Sequence, residues 1–139
     1  MVEGLSHITI IVSDLDKTKT LIESVLGGRE VYSSDGADFS IAPEKFFLVN
    51  QTWVAVMLGP PLAEKTYNHI AFKVAEADLA GLKARIMSLG LEMRESRTHV
   101  DGEGSSLYFY DYDNHLFELH TGTLETRLTR YAKGKKRPD

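Results

Sequence analysis

The sequence contains no cysteine among its 139 residues. Disulfides, thiolate metal ligands and cysteine nucleophiles are therefore excluded, and a chain without cysteine fits a reducing cytoplasm. No apolar run reaches the roughly 18 residues that span a membrane, and the N-terminus lacks the basic region and cleavage site of a signal peptide. Basic residues are outnumbered, giving a net charge of −4, which argues against a nucleic-acid partner. We therefore expect a cytoplasmic protein without a membrane segment or a nucleic-acid partner.

The composition is typical of a globular protein, with 42% hydrophobic and 26% charged residues. The length suits one domain or two small modules packed together. The C-terminal stretch KGKKRPD is basic but short. We interpret it as a solvated tail, with contact to RNA or a membrane as the alternative.

An internal repeat organises the chain. The segment HITIIVSDLDKTKTLIESVLGG, which begins at His7, aligns with HIAFKVAEADLAGLKARIMSLG, which begins at His69. Each copy has a histidine, an alternating apolar strand, an acidic turn and an amphipathic helix that ends at Leu-Gly. In the first copy, Ser13 and Asp16 match a capping box at the start of the helix. The chain is therefore predicted to be a duplicated module.

Short strand-like segments follow each helix. They are REVYSS, DFSIA, FFLVN and WVAVML in the first half, and LEMRE, SLYFYD and HLFELH in the second. The stretch SRTHVDGEGS is predicted to be a loop, and TLETRLTRYAKG a short docking helix. We expect an α+β domain in which module one covers about 4–60, module two about 66–122, and the C-terminal helix and basic tail 123–139. The helices would cover one face of a curved, antiparallel-rich sheet and leave the other as a trough.

Two histidines and one glutamate are candidate metal ligands. A single histidine at the start of a strand is usually structural, but His7 and His69 occupy equivalent positions in the two copies. Glu118 lies in an otherwise apolar strand, where a carboxylate is costly to bury unless it is paired or bound to metal. Subtracting the repeat period from Glu118 leads to Val56, which cannot supply a fourth ligand. Two imidazoles and one carboxylate with open positions suit catalytic Mn²⁺, Fe²⁺ or Zn²⁺.

The remaining histidines are weaker candidates. His120 follows Glu118 by two residues on the same strand face and is the main rival ligand. His99 lies in the predicted loop, and His115 lies in the turn Asp-Asn-His.

These features resemble the vicinal oxygen chelate superfamily, and within it the fosfomycin-resistance branch, above all the FosX-type hydrolases. The segments that carry the resemblance are GLSHITIIV, SIAPEKFFL, YNHIAFKV and GEGSSLYFYDYDNHLFELHTGTLETRL. The resemblance implies the vicinal oxygen chelate fold, with paired βαβββ modules in a homodimer. It implies active sites shared between subunits, with the first histidine coming from the partner chain. It also implies Mn²⁺ as the metal and fosfomycin, a phosphonate that carries an epoxide, as the substrate.

The resemblance also implies a phosphonate pocket. By position it would include Ser106, Tyr108 and Arg127, with Thr9 near the epoxide oxygen. A guanidinium can bind a phosphonate through paired hydrogen bonds, and two hydroxyls two residues apart on a strand share a face. The alternatives are structural: a surface charge for Arg127, a rim aromatic for Tyr108 and a strand-forming residue for Thr9. Further candidates for lining the pocket are Trp53, which could instead belong to the core, and Tyr67.

Glu44 in the motif APEKFF matches the carboxylate that activates water in the hydrolase branch. The implied reaction adds water to fosfomycin and gives a vicinal diol phosphonate, without a thiol cofactor. Glu44 would act as a general base or, in a variant, as a nucleophile that forms a covalent ester. Ala-Pro-Glu-Lys is also good turn chemistry, so a plain turn carboxylate is the alternative.

Three other activities are compatible with the same family. The first is a thiol transferase that acts on fosfomycin with glutathione or a similar thiol. The second is a drug-sequestering protein that binds without chemistry and needs no metal ligands. The third is a glyoxalase or epimerase, against which the apolar Val56 and the presence of Arg127 argue.

Overall fold

The structure is a computed structural model that describes residues 1–35, 41–95 and 101–134. It contains two compact units: Met1–Thr66 with Tyr110–His115, and Tyr67–Phe109 with Leu116–Asp139. His99 and the last five residues of the basic tail lie outside the described residues. None of the helices in the described part of the chain is long and apolar enough to cross a membrane.

The first unit is a four-stranded sheet with one helix. Its elements are β1 (His7–Val12), α1 (Leu15–Ser24), β2 (Arg29–Ser33), β3 (Glu44–Val49) and β4 (Thr52–Leu58). The strand order is β1-β4-β3-β2, with β1 parallel to β4 and the other pairs antiparallel. The predicted strand DFSIA lies mostly outside the described residues, and its last two residues are not in a strand.

Strand alternation separates the two faces of this sheet. The core face packs apolar side chains with those of α1, and its buried members are Ile10, Val12, Leu21, Ile22, Val25, Phe47, Val49, Val54 and Val56. The strand registers place His7 beside Trp53, Thr9 beside Ala55, and Phe46 beside Ala55. The opposite, open face therefore carries the predicted functional side chains of this unit, which are His7, Thr9, Glu44 and Trp53.

The start of α1 differs from the prediction. Its N-cap is Asp14, whose Oδ1 accepts a hydrogen bond from the backbone N–H of Lys17 at 3.0 Å. The backbone N–H of Ser13 instead donates to Asp113 Oδ1 at 2.9 Å, so the predicted capping box of Ser13 and Asp16 is wrong. Asp and Ser cap helices about equally well, and the tertiary contact with Asp113 decides between them.

A charged cluster ties β2 to β3 on the helix side. Lys45 Nζ lies 2.8 Å from Glu30 Oε1, and Lys19 Nζ lies 3.5 Å from Glu30 Oε2. The hydrogen bond from Lys45 holds the pKa of Glu30 below its usual value, and the same bond raises the pKa of Lys45.

The second unit repeats the order of the first. Its elements are β5 (His69–Lys73), a 3₁₀ turn (Glu76–Asp78), α2 (Leu79–Ser88), β6 (Met93–Arg94), β7 (Ser106–Tyr110), β8 (Leu116–His120) and α3 (Leu124–Gly134). The strand order is β5-β8-β7-β6, with β5 parallel to β8. Two βαβββ units in an α+β chain are therefore confirmed, and the second has four strands like the first, although β6 is short.

The helix α3 lies where the sequence predicts it, and its apolar side chains remain largely exposed in the described chain. Leu124, Leu128 and Tyr131 are all exposed, and no residue of α3 is buried.

The registers correct the position equivalent to Glu118. Thr9 and Ala71 are both the third residue of their strands, and they pair with Ala55 and Glu118 respectively. The counterpart of Glu118 is therefore Ala55, because the repeat is one residue longer at its last strand than at its first. Val56, the predicted counterpart, lies on the core face with no exposed surface. Alanine also cannot ligate a metal, so the absence of a fourth ligand at this position stands.

Candidate active site

A cavity of about 270 Å³ opens within the second unit. Its lining carries four hydroxyl groups, one imidazole, one guanidinium and one carboxylate: Tyr67, Glu103, Ser106, Tyr108, His120, Arg127 and Tyr131. The structure thus brings together four residues predicted for the pocket, which are Tyr67, Ser106, Tyr108 and Arg127. Groups that donate hydrogen bonds around a small cavity suit an anionic ligand.

His69 and Glu118 meet on the neighbouring strands β5 and β8. His69 Nε2 lies 3.0 Å from Glu118 Oε1, and His69 Nδ1 lies 2.7 Å from the backbone carbonyl oxygen of Tyr67. A carbonyl only accepts, so Nδ1 carries a proton and donates it there. The Nε2 atom then faces the carboxylate, an arrangement in which a proton or a divalent cation can lie between the two atoms. Histidines that bind metals typically donate their second N–H to a carbonyl in this way, so the pair fits a divalent metal.

The second carboxylate oxygen of Glu118, Oε2, is also hydrogen-bonded. Ser106 Oγ donates to Glu118 Oε2 at 2.6 Å and lies 2.7 Å from His120 Nδ1. His120 Nε2 lies 3.2 Å from Arg127 Nη2. Both ring nitrogens of His120 therefore have partners, which disfavours His120 as a metal ligand.

Tyr108 is held as a hydrogen-bond donor. Burial raises the pKa of the Tyr108 phenol, and its hydrogen bond with Tyr67 Oη at 3.4 Å and the nearby Glu118 carboxylate raise it further. The phenol therefore keeps its proton in any ordinary buffer. The Arg94 guanidinium lies 4.8 Å from the centre of the Tyr67 ring and adds a positive charge beside these phenols.

Glu103 is a site residue that the sequence does not reveal. Its carboxylate is only 3% exposed, and it accepts from Tyr131 Oη at 3.0 Å and pairs with Arg130 Nη1 at 3.1 Å. Arg127 Nε lies 4.0 Å from the same group. Glu103 thus joins the loop before β7 to α3. The only sequence signal is a carboxylate between two glycines, a pattern equally common in surface loops.

The first unit presents the other predicted residues. His7 stacks on Trp53 with ring centres 4.1 Å apart, and the edge of Phe46 packs against Trp53 at 5.1 Å. The buried indole Nε1 of Trp53 has no hydrogen-bond partner among the described residues. A buried N–H without a partner is uncommon in native structures.

Glu44 is the first residue of β3, so its backbone lies at the start of a strand and not within the predicted turn. It is 8% exposed. Its backbone N–H donates to Ser34 Oγ at 3.1 Å, and the Ser34 N–H donates to the Glu44 carbonyl at 3.0 Å. Both bonds use the backbone of Glu44, which fixes the start of the strand and leaves the carboxylate out of this pairing.

The structure places two of the three predicted ligands, His69 and Glu118, in contact within the second unit. His7 belongs to the first unit. Among the described residues of this single chain, no group of three histidine or carboxylate side chains is arranged to hold a metal ion.

Comparison with known proteins gives a family match and several relatives that are similar over nearly the whole chain. The sequence model of the Glyoxalase/Bleomycin resistance protein/Dioxygenase superfamily matches residues 4–119. The fosfomycin resistance protein FosX of Mesorhizobium japonicum is 57% identical over 134 residues, covering 96% of each chain. The metallothiol transferase FosB of Shouchella clausii is 34% identical over 138 residues, covering 96% of this chain and 90% of its own.

A solved structure is similar at the level of the whole fold. It is a variant of the fosfomycin resistance protein FosX from Listeria monocytogenes, complexed with Mn(II) and 1S,2S-dihydroxypropylphosphonic acid. The TM-score is 0.85 at 50% identity, over 94% of this chain and 99% of that one.

Proposed function

Because the chain belongs to the Glyoxalase/Bleomycin resistance protein/Dioxygenase superfamily, we propose that it is a Mn²⁺-dependent hydrolase that adds water to fosfomycin. The product would be a vicinal diol phosphonate, the class of compound bound with Mn(II) in the FosX variant from Listeria monocytogenes. The observation that carries the proposal is one connected network in the second unit. It links Arg127, an anion-binding group, to Glu118, which with His69 fits a metal.

The proposed metal ligands are His69 and Glu118 with His7 as the third. In a homodimer with shared active sites, His7 would come from the partner chain. The two units would act as one domain, and the protein would work in the cytoplasm. These residues would hold a divalent metal, which would supply Lewis acidity for opening an epoxide.

Arg127 and Tyr108 would bind the phosphonate. The guanidinium offers paired donors to two phosphonate oxygens, and Tyr108 remains protonated because its pKa is raised. Tyr67 lines the same cavity and would add a hydroxyl for the ligand, Ser106 would support the pocket by holding Glu118, and Trp53 would wall it. Their combined effect is to fix the substrate so that the carbon beside phosphorus faces the attacking water.

Glu44 would activate that water, with Thr9 near the epoxide oxygen on the same face of the first unit's sheet. The carboxylate takes one proton from water while the water oxygen bonds to carbon. The epoxide oxygen leaves that carbon with the electron pair of the broken bond and takes a proton from solvent, while Glu44 returns its own proton to solvent, which completes the diol. A general base of this kind contributes typically about 10² to 10⁴-fold in rate.

A thiol transferase is the second candidate, since the metallothiol transferase FosB of Shouchella clausii is a more distant relative at 34% identity. Its signature would be product formed only when glutathione or a similar thiol is added. A non-catalytic binding protein would retain fosfomycin without converting it.

Replacing Glu44 with Gln tests the proposed chemistry. In thiol-free buffer with Mn²⁺, phosphorus NMR should show diol formation by the unchanged protein and a loss of about 10² to 10⁴-fold in the variant. Binding of Mn²⁺ and fosfomycin should persist, because the variant keeps the ligands and the phosphonate pocket. The control is Glu64→Gln, which alters an exposed carboxylate and should hydrate fosfomycin normally.

Full hydration by the Glu44→Gln variant would remove Glu44 from the mechanism. If the Glu44→Gln variant loses hydration as expected, a single turnover of the unchanged protein in labelled water separates the two roles of Glu44. Label in the diol indicates a general base, whereas label in the protein indicates a covalent ester.

A further inference from the structure

A series of hydrogen bonds runs from Arg127 through His120 and Ser106 to Glu118, and each bond in it has a fixed donor and acceptor. A guanidinium has no lone pair to offer, so Arg127 Nη2 must donate to His120 Nε2 across their 3.2 Å separation. An Nε2 that accepts carries no proton. The proton of the His120 ring is therefore on Nδ1, and its donor direction points at Ser106 Oγ, 2.7 Å away.

Ser106 accepts a hydrogen bond from His120 and donates one to Glu118. Its oxygen accepts from His120 Nδ1, and its single proton is then given to Glu118 Oε2 at 2.6 Å. This leaves Glu118 Oε1 turned toward His69 at 3.0 Å. Each group in the series therefore has one orientation that satisfies both of its neighbours.

A glycine at position 122 leaves space for the His120 ring in this orientation. A Cβ added to Gly122 would lie 2.7 Å from His120 Nε2 and would also meet the backbone carbonyl of Glu103. Only glycine at position 122 allows the imidazole to lie against the chain with Nε2 toward Arg127. The side chain of His120 is 16% exposed, so water competes little for its two nitrogens.

From these contacts we propose that His120 is a positioning residue that couples the anion-binding Arg127 to the metal-binding carboxylate of Glu118. Its Nε2 holds the guanidinium, and its Nδ1, acting through Ser106, holds the carboxylate with one oxygen free for metal. This inference rests on the proposed function only for the roles of Arg127 and Glu118. It assigns His120 no contact with metal or substrate.

Two substitutions of His120 each remove one of its two hydrogen bonds and can keep the other. In His120→Asn, the side-chain amide N–H can occupy the place of Nδ1 and donate to Ser106, but nothing reaches Arg127. In His120→Gln, the longer side chain can place its carbonyl oxygen near the position of Nε2 and accept from Arg127, but the donor to Ser106 is lost.

The two variants should differ in which affinity they lose, the one for Mn²⁺ or the one for methylphosphonate. His120→Asn should bind Mn²⁺ within about twofold of the unchanged protein but lose about tenfold or more in affinity for methylphosphonate, as expected for a hydrogen bond to a charged group. His120→Gln should do the reverse and lose about 10 to 100-fold in Mn²⁺ affinity, which is typical when a group that orients a ligand is removed. Electron paramagnetic resonance measures Mn²⁺ binding, and calorimetry at saturating Mn²⁺ measures methylphosphonate binding.

Ser106→Ala gives an independent measurement should His120→Gln not fold. It breaks the series beyond His120, so it should lose Mn²⁺ affinity while the bond between Arg127 and His120 remains. Equal loss of Mn²⁺ affinity in His120→Asn and His120→Gln would make His120 a ligand itself and overturn the proposal. Unchanged affinities in both would overturn it as well. Neither result depends on turnover, so failure to hydrate fosfomycin is a separate outcome that bears on the proposed function alone.

Discussion

Glu103→Gln is the change that most directly probes how α3 is held beside the cavity. The carboxylate is 3% exposed and contacts two cations and one phenol, all on α3. Glutamine keeps the shape and one acceptor oxygen but replaces the other oxygen with an N–H₂ group. If the remaining oxygen accepts from Tyr131, the new N–H₂ faces the N–H of Arg130, and two donors oppose each other.

The expected loss follows from these contacts. One charge-assisted hydrogen bond contributes about 1.5 to 3 kcal/mol. Arg130 is 44% exposed, so solvent screens part of its attraction to Glu103. We therefore expect the variant to lose about 1 to 2 kcal/mol in free energy of unfolding, a value below the ~3 to 5 kcal/mol lost when a fully buried ion pair is broken.

Urea unfolding at one protein concentration measures this loss. The midpoint should fall with little change in slope, and amide hydrogen exchange in α3 should speed up. The control is Glu64→Gln, an exposed carboxylate whose replacement should change stability by less than about 0.5 kcal/mol. An unfolding midpoint for Glu103→Gln equal to that of the unchanged protein would refute the assigned role of Glu103.

Three further predictions concern single residues. Arg127→Lys should raise the KM for fosfomycin about tenfold or more, because an ammonium cannot present paired donors to a phosphonate; steady-state kinetics would show an unchanged KM if Arg127 does not bind the substrate. Glu30→Gln should lower the free energy of unfolding at pH 7 by about 0.5 to 1 kcal/mol. Because the folded-state pKa of Glu30 is lowered, its contribution is full above the unfolded value of 4.5 and is lost as the pH falls through the lower folded value, so urea titrations of protein and variant should converge in acid. Gly122→Ala should cost about 1 to 3 kcal/mol and weaken methylphosphonate binding, because the new methyl group meets the backbone of Glu103 and the ring of His120; unchanged unfolding and binding would contradict the close approach.

The sequence was sufficient for the elements that local patterns determine. Alternating apolar residues predict β1, β4 and β8, and apolar residues at helical spacing with a Leu-Gly end predict α1 and α2. The equivalence of His7 and His69 follows from the repeat, and both histidines begin their strands in the structure.

The sequence did not predict the register of the last strand or the tertiary contact at the start of α1. The position equivalent to Glu118 shifts from Val56 to Ala55 because a single added residue between repeats leaves no local mark. The cap of α1 moves from Ser13 to Asp14 because Asp113, far along the chain, takes the Ser13 N–H.

The lining of the cavity was predictable in part from the family resemblance. Arg127, Tyr108 and Ser106 reach one cavity, as the family motif implies. Glu103 and the role of His120 were not predictable, because each depends on which atoms face which partners. No spacing rule reveals that both nitrogens of a histidine are engaged.

Thiol-free hydration of fosfomycin is the most direct measurement of the central claim. Protein stripped of metal, then supplied with Mn²⁺ and fosfomycin, is followed by phosphorus NMR beside samples without protein and without metal. The proposed function predicts a diol phosphonate resonance that grows only when protein and Mn²⁺ are both present. No diol with Mn²⁺, Fe²⁺, Ni²⁺ or Zn²⁺, or product that appears only after a thiol is added, would contradict it.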